Sequence, residues 1–288
     1  MNIDHFQFST GEGNTALDIP TDFTGDYATK KEAVKDLRAN IKRLTALQER
    51  LYADDKQSLL IIFQAMDAAG KDGAIKHVMS GVNPQGTQVF SFKKPSTEEL
   101  DHGFLWRCQK VVPERGRIGI FNRSYYEDVL VVRVHTAILE STPLPDKIKS
   151  DPEIWNKRFD QIRDFERYLT ENGTRVLKFF LNVSKEEQKR RFLARIETPE
   201  KNWKFSDADL KERGFWDSYM NAYREAIRAT STSDSPWFVV PADHKWFTRL
   251  AVSEIVCRTL EEMDLHFPEV GEDHLKMLED SKAVLESE

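Results

Sequence analysis

The chain has 288 residues, 40% of them hydrophobic, which suits one large α/β domain or two small ones with a real core. A net charge of −6 argues against a protein that coats nucleic acid. The two cysteines, Cys108 and Cys257, form no C-x-x-C pair, which fits a reducing compartment and gives neither a disulfide framework nor a metal knuckle. The opening MNIDHFQFST lacks a leader's basic and apolar regions, and no run nears the roughly 18 apolar residues of a spanning helix. The expectation is a soluble, cytoplasmic chain that engages neither membrane nor nucleic acid.

Residues 1–26 are polar with scattered aromatics and no period, which predicts an arm lying on the surface. Thr29 and Glu32 make a capping box, after which Val34, Leu37, Ile41, Leu44 and Leu51 recur at helical spacing to about residue 52. The pattern allows that helix to pack on the core or on another subunit. Strand-like runs follow at 59–64, 87–92, 118–121, 176–183 and 237–240, with helical patterns between them. Ser96 with Glu99 and Ser184 with Glu187 are further capping boxes, Asp151-Pro152 is a helix start and Asn172-Gly173 a helix stop. Strands alternating with helices imply a five-stranded parallel sheet in one α/β domain. Its parts would be an N-terminal arm and helix to residue 55, a core over 56–260 and an acidic tail over 261–288.

The first strand runs straight into chemistry. SLLIIFQ reads as a buried parallel strand, and the turn after it, Ala65 to Asp72, lies close to G-x-x-x-x-G-K-[ST], the loop that cradles phosphate on backbone N–H groups. Alanine stands in place of the first glycine and aspartate in place of the hydroxyl. Ala69, Gly70, Lys71, Asp72 and Gly73 are the candidate phosphate-chain contacts. Lys71 would meet the transferring phosphoryl group and Asp67 would hold a cation, while Asp72 also simply favours the helix N-terminus.

At the end of the next strand, Lys93 and Lys94 could hold an acceptor phosphate or be solvated. The stretch RGRIGIFNRSYYEDVL gathers Asn122, Arg123, Ser124, Glu127 and Asp128 at the C-terminal end of a core strand, where parallel sheets place ligands. An arginine there is costly unless it pairs with an anion, and its fork suits phosphate. Glu127 and Asp128, one helical turn on, would face the same cleft. Lys185 to Arg213 carries nine Lys or Arg, interrupted by Pro199, Asn202 and Trp203. That predicts a helix–loop–helix lid over 184–213 with its basic residues turned inward.

AMDAAGKDG, SFKKPS, FNRSYYEDVL, KEEQKRRFLARIETPEKNWKFS and WFVVPADHK, in that order, resemble the second family of polyphosphate kinases, from about residue 30 to residue 260. The resemblance implies a P-loop kinase fold of three α/β/α layers, related to thymidylate kinase, that moves phosphoryl groups between inorganic polyphosphate and nucleotides with Mg²⁺ or Mn²⁺. Asn122 and Glu127-Asp128 look like the class III subgroup, whose members accept both AMP and ADP. Carried over, Asp67, Lys71, Arg123 and Asp128 are catalytic, with Asp67 and Asp128 on the metal. Lys93, Lys94, Arg117, Asn122, Arg123, Glu127 and Arg133 bind nucleotide, and Arg191 and Lys204 join the loop on the polyphosphate. Ala65 departs from the family's glycine, which is tolerable if its φ is negative. The long helix and the tail suggest a dimer or tetramer. Two rivals share these features: an ATP-dependent nucleoside monophosphate kinase and a polyphosphate-binding protein without turnover.

Overall fold

The computed structural model describes residues 1–9 and 14–288. Its strands are β1 (Gln7–Phe8), β2 (Ser58–Gln64), β3 (Thr87–Ser91), β4 (Ile118–Asn122), β5 (Thr174–Asn182) and β6 (Trp237–Pro241). They form one sheet in the order β1-β6-β5-β2-β4-β3. β2 to β6 are the five parallel strands read from the sequence. The expected five-stranded sheet is corrected to six by β1, which pairs antiparallel with β6 through Gln7↔Phe238 and Phe8↔Trp237. A two-residue strand carries no alternation to read.

The arm is also not merely a surface feature. Ile3, Phe6 and Ala16 are buried, and Phe6 meets Phe23 and Phe247 edge-on at 6.2 and 6.1 Å. Scattered aromatics without a period give no hint of such a cluster, because it assembles across the sheet edge rather than along one element.

The longer helices are α1 (Lys30–Asp54), α2 (Lys71–Val78), α3 (Ile154–Glu171), α4 (Lys185–Ile196), α5 (Asp207–Gly214), α6 (Trp216–Thr230), α7 (Lys245–Glu261) and α8 (Glu272–Glu286). α1 packs on α7 of its own chain: Asn40 donates to Ser253 Oγ at 3.0 Å, and Arg43 pairs with Glu254 at 3.1 Å. The capping box at Ser96–Glu99 is complete. Those at Thr29 and Ser184 are half-made, because Glu32 reaches the Ala28 N–H and Glu187 turns to two arginines. α3 stops at Asn172, with Gly173 at φ +88° as a left-handed terminator.

β2 lies at the centre, with β4 and β3 on one side and β5 and β6 on the other. In such a sheet the crevice for ligands opens beyond the C-terminal strand ends, where the connections diverge. The loop after β2 and the segment after β4 meet there.

Candidate active site

Between β2 and α2, Ala65 keeps a negative φ, as its substitution for glycine requires, whereas Ala68 sits at φ +62° and Gly70 at +111°. The loop's carbonyls are nearly all spoken for. Ala65 O accepts Lys71 Nζ at 3.0 Å and Asp67 O accepts Gln188 Nε2 at 2.9 Å. Ala68 O and Ala69 O accept Arg191 Nη1 at 2.9 and 2.7 Å. By contrast, the N–H groups of Gly70, Lys71, Asp72 and Gly73 have no acceptor among the described residues. Acceptors tied back and donors left open make a cradle for an anion.

Several charged and polar side chains converge on that cradle. Lys71 is buried at 9% exposure, and burial, with Arg123 beside it, draws its ammonium below the ordinary lysine value. Arg123, itself at φ +65°, places Nη2 2.8 Å from Asp67 Oδ1 and Nη1 3.7 Å from Glu127 Oε2. A left-handed arginine costs about 1–2 kcal/mol, so the surrounding packing must hold it there. Asn122 Nδ2 donates to Asp72 Oδ1 at 2.7 Å, tying the end of β4 to the first turn of α2.

Glu127 is held from behind by Gln64, whose Nε2 donates to Glu127 Oε1 at 2.8 Å. Gln64 is fully buried, and its Oε1 has no donor. An orphaned acceptor beside two carboxylates, Asp67 and Glu127, suits a hydrated divalent cation, whose waters would donate to it. Among the described residues no three acidic, His or Cys side chains form a metal cage. Mg²⁺ is commonly held by one or two carboxylates plus substrate phosphates, and Asp67 and Glu127, which both face Arg123, could supply them.

The structure corrects several sequence readings. Asp128 turns away from the cradle. Its carboxylate faces Arg158 at 3.8 Å, its carbonyl accepts Arg158 Nη1 at 2.6 Å, and burial pushes its carboxyl up to about 6 against the pull of Arg158 and Arg107. The cause is local geometry: residues Tyr125–Asp128 form a 3₁₀ turn, in which positions i and i+3 eclipse. Asp128 therefore follows the fully buried Tyr125 inward, while Glu127 keeps the cleft. Of the two acids, it is therefore Glu127, not Asp128, that shares Arg123 with Asp67.

Arg117 precedes β4, at the end of the strand away from the cradle, with its guanidinium 4.7 Å over Tyr52 and bonded to Gln85 O. Arg133 pairs with Glu225 and lies over the rings of Trp155 and Phe159. Neither pairs with a residue of the cradle.

Arg191 is corrected in a different way. It lies beside the loop, but all of its N–H groups that make bonds are spent inside the protein, on Glu187, Ala68, Ala69, Ala242 and Asp243. It is a strut under the cradle rather than a phosphate contact. Lys93 and Lys94 do stand, exposed, just past β3 on the same edge of the sheet, where Arg107 Nη1 fixes the Lys93 carbonyl at 2.7 Å.

The segment read as a lid forms α4, a 3₁₀ turn over Pro199–Lys204, and α5. Much of its charge is used internally: Arg195 meets Asp209 at 3.6 Å, and Arg213 donates to Lys185 O and Gln188 Oε1. Lys204 remains exposed, over the Trp203 ring.

One assembly under the site escaped the sequence reading. Glu166 on α3 and Lys178 on β5 form a fully buried ion pair. Tyr125 and Tyr126 donate to Glu166 Oε1 at 2.9 and 2.8 Å, and Ser235 donates to Oε2 at 2.9 Å. The two tyrosines that follow Arg123 and Ser124 are thereby anchored from below. Lys178, alone among apolar neighbours in VLKFFL, was the visible signal.

A family model described as polyphosphate kinase 2 (PPK2) matches residues 27–268. The chain belongs to the polyphosphate kinase 2 family. It is 53% identical over 272 residues to an ADP-polyphosphate phosphotransferase of Rhodopseudomonas palustris, covering 93% of this chain and 94% of that protein. It is 44% identical over 250 residues to an AMP/ADP-polyphosphate phosphotransferase of Meiothermus ruber, covering 87% and 89%. The crystal structure of polyphosphate kinase 2 from Arthrobacter aurescens TC1 superimposes with a TM-score of 0.87 at 40% identity, covering 97% of this chain and 95% of that one. Within this PPK2 fold, the cradle, Lys71 and Arg123 lie together at the C-terminal ends of β2 and β4.

Proposed function

We propose that this PPK2 chain transfers phosphoryl groups between inorganic polyphosphate and AMP or ADP, with Mg²⁺ or Mn²⁺ as the metal. The observation that carries the reading is the cradle itself: open amides on Gly70–Gly73, the Lys71 ammonium and the Arg123 guanidinium, flanked by the Asp67 and Glu127 carboxylates. The names of the two relatives, sharing 53% and 44% identity, support the donor and the acceptors.

The attacking group is a phosphate oxygen that is already anionic, so no strong general base is needed. Rate acceleration then rests on alignment and charge neutralisation. The amides hold the donor's phosphate, Lys71 and Arg123 shield its equatorial oxygens, and Asn122 keeps the Asp72 turn registered against β4. Lys93 and Lys94 would meet the acceptor's phosphate, and Lys204 would reach the chain from the lid. A bound metal would draw charge from donor and acceptor oxygens, with Asp67 and Glu127 orienting its waters.

Among the described residues no helix is long and apolar enough to cross a membrane, and Cys108 and Cys257 are free and buried. A cytoplasmic setting accords with both. Assembly into a dimer or tetramer accords with the exposed Leu275, Leu278 and Leu285 of α8.

The test is a turnover assay with Mg²⁺, supplying AMP or ADP with polyphosphate and, in parallel, AMP with ATP. ADP and ATP formed from polyphosphate alone are expected. Turnover only with ATP would make the chain a nucleoside monophosphate kinase, and tight, salt-sensitive polyphosphate binding without turnover would make it a binding protein. Lys71→Ala should lower kcat by about 10²–10³, the scale for loss of one transition-state donor; near wild-type turnover would remove Lys71 from the mechanism.

A further inference from the structure

α3 grips the segment that carries Arg123 and Glu127 at two places. Its Arg158 holds the Asp128 carbonyl through Nη1 at 2.6 Å. About two turns further along the helix, Glu166 Oε1 accepts the hydroxyls of Tyr125 and Tyr126 at 2.9 and 2.8 Å. Glu166 Oε2 is taken by Lys178 from β5 and by Ser235 at 2.9 Å. At its other end the segment is tied to β2, where the Arg123 N–H donates to Phe63 O at 3.0 Å. Both tyrosines, Glu166 and Lys178 are fully buried. Burial and the Glu166 charge push both phenols well above their ordinary value, so they stay protonated and able to donate.

A buried ion pair is often no more stabilising than apolar residues of the same volume. This one does something apolar residues cannot. Successive side chains of a 3₁₀ turn point about 120° apart, yet here one carboxylate oxygen receives the hydroxyls of two neighbours, which restricts the turn that follows Arg123. Arg123 needs that restriction, because its φ of +65° is unfavourable for any residue with a side chain. Its ion pairs with Asp67 and Glu127 hold only the tip of a side chain that is 40% exposed, where such pairs contribute little. The backbone must be held from beneath.

We propose that Glu166 is the positioning residue for Arg123: through Tyr125 and Tyr126 it fixes the backbone that aims the Arg123 guanidinium at the transferring phosphoryl group. Lys178 holds Glu166 as a carboxylate facing the two hydroxyls. This rests on the phosphoryl-transfer role given to Arg123 above. Glu166 touches neither donor nor acceptor and acts only through the turn. Groups that meet a reacting centre must be held to within roughly 0.5 Å, and a displacement of about 1 Å can cost on the order of 10²-fold in rate.

The experiment is a double-mutant cycle on kcat between Arg123→Ala and the pair Tyr125→Phe/Tyr126→Phe, which keeps both rings and removes only the hydroxyls. Alone, the tyrosine pair should lower kcat about 10- to 100-fold. Both KM values should stay within about threefold of wild type, because the lost interaction belongs to the transition state. In the Arg123→Ala background the same pair should cost less than about twofold, since the group it aims is gone. An equal loss in both backgrounds, or a lowered thermal midpoint with kcat unchanged, would overturn the proposal. If the tyrosine pair does not fold, either single tyrosine change enters the same cycle. A second comparison leaves the tyrosines intact. Glu166→Gln/Lys178→Met keeps an acceptor for the hydroxyls and Glu166→Leu/Lys178→Met does not, so the first should retain about tenfold more kcat; equal values would count against Glu166. The cycle is run with whichever donor wild type uses, so turnover with ATP alone would refute the polyphosphate donor and leave this proposal to be decided by the cycle. Polyphosphate binding without turnover in wild type would remove the transfer reading, and this proposal with it, before any variant is made.

Discussion

Two adjacent acids, Glu127 and Asp128, show how much one backbone choice decides. In the 3₁₀ turn they diverge, one toward Arg123 and the other toward Arg158. Asp128 is disfavoured as a charge: its folded carboxyl is pushed up to about 6 by burial, from an ordinary value of 3.8. The penalty is full above that value and disappears as pH falls toward 4, so lowering the pH relieves it. Asp128→Asn should therefore be less harmful at pH 7.5 than at pH 4.5, by a margin on the order of 2 kcal/mol. Urea unfolding of both proteins at the two pH values measures it, and an unchanged difference would show that Asp128 titrates normally. The composition of NRSYYED announced a charged site, but adjacent carboxylates in a short turn cannot be assigned to opposite sides from spacing alone. The loop was more legible: Lys71, Gly70 and Asp67 stand where the sequence placed them, because a strand-to-helix turn on a parallel sheet has few possible forms.

Among the elements, α4 departs most from its sequence reading. The helix–loop–helix was visible in the capping Ser184 and the break at Pro199, and so was the row of basic residues. What lay opposite that row was not. Periodicity names a face, and only the assembled fold shows that Arg191 meets the backs of two loops, 65–70 and 242–243. α4 is consequently joined to the cradle by Arg191 and Gln188, and the more exposed stretch lies beyond it, from Pro199 into α5. Arg191→Lys is not a conservative change here, since one ammonium cannot serve four carbonyls in two directions. It should cost about 2–4 kcal/mol of stability through carbonyls left unpaired and should weaken the polyphosphate donor far more than the nucleotide. A melt together with separate donor and acceptor titrations tests both. A stable variant whose two KM values move together would show that Arg191 does not shape the cradle.

For the molecule as a whole, the five parallel strands followed from apolar runs alternating with helical ones, and their order places the site at the C-terminal strand ends. The sixth strand did not follow, because β1 owes its existence to β6 rather than to its own two residues. Asn14 Nδ2 donates to Gln7 O at 2.9 Å, Ser231 Oγ donates to Phe8 O at 2.9 Å, and Ile3 and Phe6 sink beside it. The arm thus closes one border of the sheet with a short, unextendable strand, which is how open sheets avoid pairing with their neighbours. A chain lacking residues 1–20 would leave the backbone of Trp237 and Phe238 on an open edge. It should form particles larger than the full chain's own assembly, as light scattering would report, even though every residue of the cradle is retained. For anyone building with this protein the two ends are therefore unequal. A label, tether or surface attachment at the N-terminal residues would disturb a segment that already serves as the sheet's hem.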